Sequence, residues 1–406
     1  MGIDDLPQTA AATPIDQAAS YAYGSAQELA DVFAGKAPGH IYTRISGPTT
    51  LVLERRLAEL EDSIGCIATS SGMAAITAVM MGLLRSGDEI VSAAGIFGGT
   101  ISLFKNVLGR FGVKTTLVSA GDTEQFRQAI TPATRVIFVE TIGNPGMDVP
   151  DLSAIAELAR AHRILFVVDS TLTSPALIRP KEFGADIVVH STTKYINGHG
   201  TVIGGALIDT GRYDWSTGPF ADVAALAKRA GRLAFLSHLR MLIYRDLGGC
   251  AAPGSSWLML QGLETLTSRM RAHCDNALKI AELLRQHRSV GRVDYPGLQC
   301  STYYPRVSKF FGGRGGGLLT LRLGSRERAF RFIDSLKTVR IATNLGETRT
   351  LVIHPASTIF HEYSADQRAE LGVPDDLVRM ALGIDEFDKL KQDVLQALDQ
   401  VEKEKA

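Results

Sequence analysis

Asp169 and Lys194 are the residues whose types and setting point most directly to chemistry. Each follows a short apolar run, Ile164–Val168 for the first and Ile187–Val189 for the second, the latter ending in His190-Ser191-Thr192-Thr193-Lys194. β-Branched runs of this length, separated by about one helix of chain, predict neighbouring parallel strands of a βαβ unit. In open α/β sheets ligands sit just beyond the carboxyl ends of the strands. An acid (Asp169), two hydroxyls (Ser191, Thr193) and a lysine (Lys194) are therefore expected in one crevice. Pyridoxal 5'-phosphate (PLP) needs that set: an amine for its aldehyde carbon, a carboxylate to keep the ring nitrogen protonated, and donors for its phosphate.

A second donor site is expected upstream, where Ile64–Thr69 reads as a strand entering Ser70-Ser71-Gly72-Met73 and the Ala-rich helix Met73–Leu84. Free N–H groups and the dipole at such a helix start suit a phosphate. Taken singly, these residues have plainer readings: Ser71 or Asp169 as helix caps, Lys194 as solvated, Arg379 as half of a surface ion pair. Their joint placement at strand ends is what favours a cofactor site.

The elements that must position them alternate regularly. Strands are expected at Glu89–Ser92, Thr115–Val118, Arg135–Val139 and Ala206–Ile208, with helices at Thr100–Arg110, Thr123–Ile130 and Asp151–Ala161. Such alternation predicts a mostly parallel, doubly wound sheet. The loops carrying Phe97-Gly98-Gly99-Thr100 and Glu140-Thr141-Ile142-Gly143-Asn144-Pro145 then fall on the ligand side. Asp209 to about Arg245 reads as less regular. Amphipathic helices follow at Trp257–Thr267 and Met270–Gln286. The glycine run Gly312–Gly317 reads as a flexible turn into the strand Leu318–Leu323 and fits neither GxGxxG nor a P-loop. A helix at Arg326–Leu336 leads into Ile341–Thr350, then come a strand at Val378–Gly383 and a closing helix at Glu386–Glu402.

The 406 residues call for at least two structural units, since single cores stop growing at roughly 250–300 residues. Lys plus Arg (43) equals Asp plus Glu (43), which gives no electrostatic case for nucleic acid or an anionic membrane. Cys66, Cys250, Cys274 and Cys300 form no CxxC pair, so neither a metal site nor a disulfide framework is expected. The N-terminal stretch lacks the apolar segment of a signal peptide, and no run approaches the ~20 residues that span a bilayer. A cytoplasmic enzyme is the expectation. Residues 1–40 form a weakly hydrophobic arm, read either as a disordered tail or as a segment packing on another subunit.

These motifs together resemble the Cys/Met-metabolism family of fold-type I PLP enzymes. The resemblance runs from Thr13 to the last helix and rests on Tyr42-x-Arg44, Ser70-Ser71-Gly72-Met73, Asp169-Ser170-Thr171, Ser191-Thr192-Thr193-Lys194, His354-Pro355-Ala356-Ser357-Thr358 and Val378-Arg379. It implies a PLP-binding α/β domain (47–265) with a seven-stranded-type sheet, a smaller α+β C-terminal domain (266–406), and an arm (1–46) that contacts a neighbouring subunit. It further implies that Lys194 carries the cofactor, Asp169 pairs with the ring nitrogen, and Ser71, Gly72, Met73, Thr171, Ser191 and Thr193 surround it. Asn144 lies near its phenolic oxygen and the substrate, Asn344 contacts the substrate, and Arg379 takes the substrate carboxylate. Tyr42 and Arg44 come from the neighbour, in a homotetramer. Phe97 stands where the family usually has a stacking tyrosine, Gly99 replaces the cysteine typical of methionine γ-lyases, and Thr343-Asn344 replaces the glutamate-serine of cystathionine users. These departures favour γ-replacement on an O-acylhomoserine by sulfide or a small thiol, with methionine γ-elimination, or replacement by another nucleophile, as the alternative.

Overall fold

The computed structural model describes residues 10–402; residues 1–9, on which part of the arm and of the leader reading falls, and 403–406 lie outside it. Two sheets organise the chain. The larger contains β1 (Gly65–Thr69), β2 (Glu89–Ala93), β3 (Lys114–Val118), β4 (Thr134–Glu140), β5 (Leu165–Asp169), β6 (Ile187–His190) and β7 (Gly205–Asp209). Their spatial order is β1-β7-β6-β5-β4-β2-β3, and only β7 runs antiparallel to its neighbours. Helices cover both faces, so β4 to β7 are buried almost throughout and read as continuous apolar runs rather than alternating ones.

The chain lays down β2 and β3 in one direction, returns to β4 beside β2, and continues outward through β5 and β6. The reversal between β2 and β4 opens a crevice at their carboxyl ends. Phe97 follows β2, Asn144 follows β4, and Asp169 closes β5. Ser191 to Lys194 follow β6. As expected, β5 and β6 are parallel neighbours.

The smaller sheet contains β8 (Arg292–Asp294), β9 (Leu318–Arg322), β10 (Arg340–Ile341), β11 (Leu351–Ile353) and β12 (Leu377–Ala381), in the order β10-β11-β12-β9-β8. It has its own core, in which Ile280 and Leu284 of one helix and Leu390, Val394 and Leu398 of the last helix pack on Leu319, Leu321, Val378 and Met380. β12 is its central strand and carries Arg379 opposite Ile353 and Thr320.

Three local expectations are corrected. The stretch after Asp209 is largely helical, with Ala221–Ala230 and a run of short helical pieces from Ala234 to Leu247 hinged at Gly231 (φ 55°). The helix expected at Thr100–Arg110 begins at Gly98 and changes pitch, passing through a π-helical turn at Leu103–Val107 and a 3₁₀ turn at Leu108–Phe111. The glycine run does turn into the strand at Leu318, and its first residues, Gly312 and Gly313, are open, but its later part is packed: a Cβ on Gly315 would lie 2.4 Å from the Gly297 nitrogen. Only a backbone without side chains fits there.

Candidate active site

A cavity of about 600 Å³ opens at the carboxyl ends of β4, β5 and β6. Of the residues singled out in the sequence, Ser71, Gly72, Met73, Phe97, Asn144, Asp169, Thr171, Ser191, Thr193, Lys194 and Arg379 all line it. Asn344 stands at its edge and accepts a hydrogen bond from Lys194 Nζ (2.5 Å). Tyr42 and Arg44 are not part of the lining. The Arg44 guanidinium instead lies over the exposed Tyr42 ring, 4.9 Å from its centroid.

One end of the cavity is built for an anion. Ser71 caps the helix Gly72–Leu83 by accepting the Ala74 N–H (3.1 Å), and Ala75 N–H bonds the Ser71 carbonyl. The Gly72 and Met73 amides remain as the free donors of the first turn. Gly72 also lets this turn close on β6: a Cβ there would lie 2.7 Å from Ser191 Cβ and 2.9 Å from its Cα. The Thr193 hydroxyl is held by Gly204, donating to its carbonyl and accepting its N–H.

Thr171 ties the ends of β5 and β6 together. Its N–H donates to Asp169 Oδ1 (2.8 Å), and its hydroxyl accepts the Ser191 N–H (2.7 Å). Burial holds the Asp169 carboxyl above the usual carboxylate range, opposed by the Thr171 hydrogen bonds and by His190. A cationic ring nitrogen beside it would reverse that shift, because an opposite charge favours the ionised form. Glu140, the register partner of Asp169 on β4, was not foreseen. It is buried, lines the same cavity and accepts the Phe97 N–H (2.7 Å), so it fixes the turn that carries the Phe97 ring. Burial and then the Asp169 charge push its carboxyl well above the usual range. The sequence signal was its position at the end of a strand whose loop already carried Asn144.

At the other end, Arg379 is buried, donates to Asn144 Oδ1 (3.1 Å) and to the Asn344 carbonyl (3.3 Å), and leaves Nε without a partner. Burial lowers its pKa to about 10. An unpaired buried guanidinium facing a cavity is a receptor for a carboxylate, which would satisfy both its charge and its free donor. The Lys194 amine lies between the two ends. Burial, reinforced by Arg379 and opposed by Glu347, lowers its pKa to about 8. Such an amine is available as a nucleophile and as a proton acceptor near neutrality. An anion cradle, an acid, a free amine and a carboxylate receptor thus share one cavity, and this set fits PLP with an amino-acid substrate. Among the described residues no cluster of His, Cys, Asp and Glu could hold a metal, and no helix is long and apolar enough to cross a membrane.

Residues 2–399 match the model of a family described as Cys/Met metabolism PLP-dependent enzymes. The chain belongs to that family. Curated relatives include an O-acetyl-L-homoserine sulfhydrylase of Thermus thermophilus, 38% identical over 95% of this chain and 94% of the relative. Another, with the same name, is from Leptospira meyeri (36%, over 97% and 93%). An L-methionine gamma-lyase of Treponema denticola is 35% identical over 97% and 94%. Among solved structures, an O-acetylhomoserine sulfhydrylase of Wolinella succinogenes superposes with a TM-score of 0.79 at 37% identity, covering 88% of this chain and 99% of that one. A Campylobacter jejuni structure described as an O-acetylhomoserine (thiol)-lyase, carrying a pyridoxyl-lysine phosphate, reaches 0.90 at 32% identity over 97% and 96%. The α/β architecture with a smaller second sheet is that of these PLP enzymes.

Proposed function

We propose that the chain catalyses γ-replacement on an O-acyl-L-homoserine, O-acetyl-L-homoserine in first place, with sulfide or a small thiol as nucleophile, giving homocysteine or methionine. The names of the relatives support this reading, and one feature of the cavity carries it. The aromatic side chain that lines the cavity is Phe97, which has no hydroxyl to protonate a leaving group. A carboxylate leaves as a stable anion and needs no such proton. The thiolate leaving groups of methionine and cystathionine need more help.

When bound, PLP supplies the electron sink that makes carbanion chemistry at the substrate carbons accessible. The roles of the chain's own residues follow from that. The Gly72 and Met73 amides, the Ser71, Ser191 and Thr193 hydroxyls and Thr171 would hold the cofactor, Asp169 would favour the protonated form of its ring nitrogen, and Phe97 would supply an aromatic contact. Arg379 and Asn144 grip the substrate carboxylate, so that the α-proton faces Lys194 Nζ. Lys194 removes that proton and returns protons along the substrate skeleton as the acyloxy group departs from the γ-carbon and sulfide adds there. Tyr42 and Arg44 serve the cavity of a neighbouring subunit in a cytoplasmic homotetramer, the arm 1–46 being the element exchanged between subunits, 47–265 the cofactor domain and 266–406 the smaller one.

The leaving-group argument is tested with Phe97→Tyr. The ratio of kcat/KM for methionine γ-elimination to kcat/KM for O-acetylhomoserine turnover is expected to rise about tenfold or more. An unchanged ratio contradicts it.

A further inference from the structure

Behind the Lys194 amine runs a chain of polar contacts. Lys194 Nζ donates to Asn344 Oδ1 (2.5 Å), Asn344 Nδ2 donates to Glu347 Oε1 (2.7 Å), and Arg349 Nη2 donates to Glu347 Oε2 (3.1 Å). All three partners belong to the turn between β10 and β11, on the smaller sheet, whereas Lys194 belongs to the larger. The turn is built onto the segment that follows Lys194. Gly346 (φ 75°) crosses so closely that a Cβ would lie 2.6 Å from the Tyr195 nitrogen and 3.2 Å from Lys194 Cα. Thr348 N–H bonds the Gly198 carbonyl (3.0 Å). Gly200 (φ 65°) leaves the space that the Glu347 carboxylate fills, since a Cβ there would lie 2.4 Å from Glu347 Cδ.

This arrangement removes a choice that an asparagine normally has. An amide can present either its oxygen or its NH₂ to a neighbour, and the two ends are nearly the same shape. A carboxylate only accepts, so Glu347 obliges Asn344 to turn its NH₂ away from the cavity. The amide oxygen is then the group that meets the lysine. We propose that Glu347, braced by Arg349, is a positioning residue that aims the Asn344 oxygen at the Lys194 amine and thereby fixes the rotamer and proton affinity of that amine whenever it is free. Without the carboxylate the amide can rotate and offer its NH₂ to the amine, which a protonated lysine rejects.

The charges that bear on this amine come from four elements. Arg379 on β12 disfavours its protonation, and Glu347 on the turn favours it. Asp169 on β5 and Glu140 on β4 line the same cavity, and Arg349 lies behind Glu347. The Asn344 side chain, expected to contact the substrate, meets the Lys194 amine on one side and Glu347 on the other. The consequence for the reaction is that a proton taken by Lys194 is held at a defined place before it is returned to the substrate.

The inference rests on Lys194 being the cofactor lysine, and the experiment separates the two claims. PLP is added to the full-length apoprotein at a series of pH values, and the rate of appearance of the visible cofactor band is followed. Its pH midpoint reports deprotonation of the free Lys194 amine. Glu347→Gln is expected to lower the midpoint by about one pH unit, a shift typical of a removed charge in a partly buried site. Glu347→Asp keeps the charge but withdraws it by one methylene, and is expected to lower the midpoint by about half as much; should the glutamine variant not fold, this comparison tests the same point. In an Asn344→Leu background the further change caused by Glu347→Gln is expected to shrink to half or less. A midpoint in folded Glu347→Gln within 0.2 units of the wild type, on the order of 0.3 kcal/mol, overturns the proposal. A band that forms equally in Lys194→Ala overturns instead the assignment of the lysine, and the proposal falls with it.

Discussion

Replacing Gly72 by alanine tests whether the close approach of the Gly72 turn to β6 is what makes the phosphate cradle. Two effects oppose each other. Alanine is the better helix former, and in a helix interior it would add about 0.5–1 kcal/mol of stability. Against this, the new Cβ would lie 2.7 Å from Ser191 Cβ and 2.9 Å from Ser191 Cα, the second being backbone that no rotamer change can move. Ordinary carbon contacts are ~3.5–4.0 Å, so turn and strand must part by about 1 Å. Overpacking of this kind costs about 1–3 kcal/mol, which outweighs the helix gain. The apoprotein is expected to lose about 1 kcal/mol in urea unfolding, and the Kd for PLP, followed by its visible absorbance, to rise about 10- to 100-fold as the donors on the two sides of the phosphate move apart. Gly98→Ala is the control, because a Cβ there meets only Phe360 and Tyr363, each at 3.9 Å. Its PLP affinity is expected to stay within about twofold of the wild type. Unchanged PLP affinity in a folded Gly72→Ala protein would refute the reasoning.

Two further outcomes follow from the buried cations. Lys194 has a folded-state pKa of about 8 against 10.5 for the free side chain, so the folded apoprotein binds fewer protons than the unfolded chain between those values. Stability contributed by this group is therefore lowest below pH 8 and recovers as pH rises towards 10.5. Between pH 7.5 and 9.5 the wild-type apoprotein is expected to gain about 2 kcal/mol relative to Lys194→Met in denaturant unfolding, and parallel pH profiles of the two would contradict the shift. Arg379→Lys keeps the charge but loses the fork that meets Asn144 and the Asn344 carbonyl. A fall of about 100-fold in kcat/KM with unchanged PLP affinity is expected, and wild-type kcat/KM would remove Arg379 from the carboxylate site.

Much of the site was legible because the chemistry sits at strand ends. β5 and β6 announce themselves as apolar runs, and the residues just after them, Asp169 and Ser191 to Lys194, have no other place to go. The Ser71–Met73 turn was visible for the same reason. What was not legible depends on how distant segments cross. Glu347 lies three residues from Asn344, yet its meaning comes from Gly200 and Gly346, which let a turn of the smaller sheet close over Lys194. Glu140 read as the first residue of a loop on the ligand side, with no role of its own, and only the register of β4 against β5 sets it beside Asp169. The helical pieces between Ala234 and Leu247 are each too short for periodicity to reveal; packing on the Gly72–Leu83 helix, as where Leu239 meets Gly82, supplies what propensity does not. Tyr42 and Arg44 carry a recognisable motif but lie off the cavity of their own chain, which sequence order alone does not show.

The reaction itself is tested most directly with the purified wild-type protein and PLP. Homocysteine formation from O-acetyl-L-homoserine and sulfide is measured beside 2-oxobutanoate release from L-methionine, each as kcat/KM at the same pH. γ-Replacement of the acetoxy group is expected to exceed methionine elimination by at least 100-fold. Methionine elimination equal to or faster than homocysteine formation would contradict the assignment and make the chain a lyase.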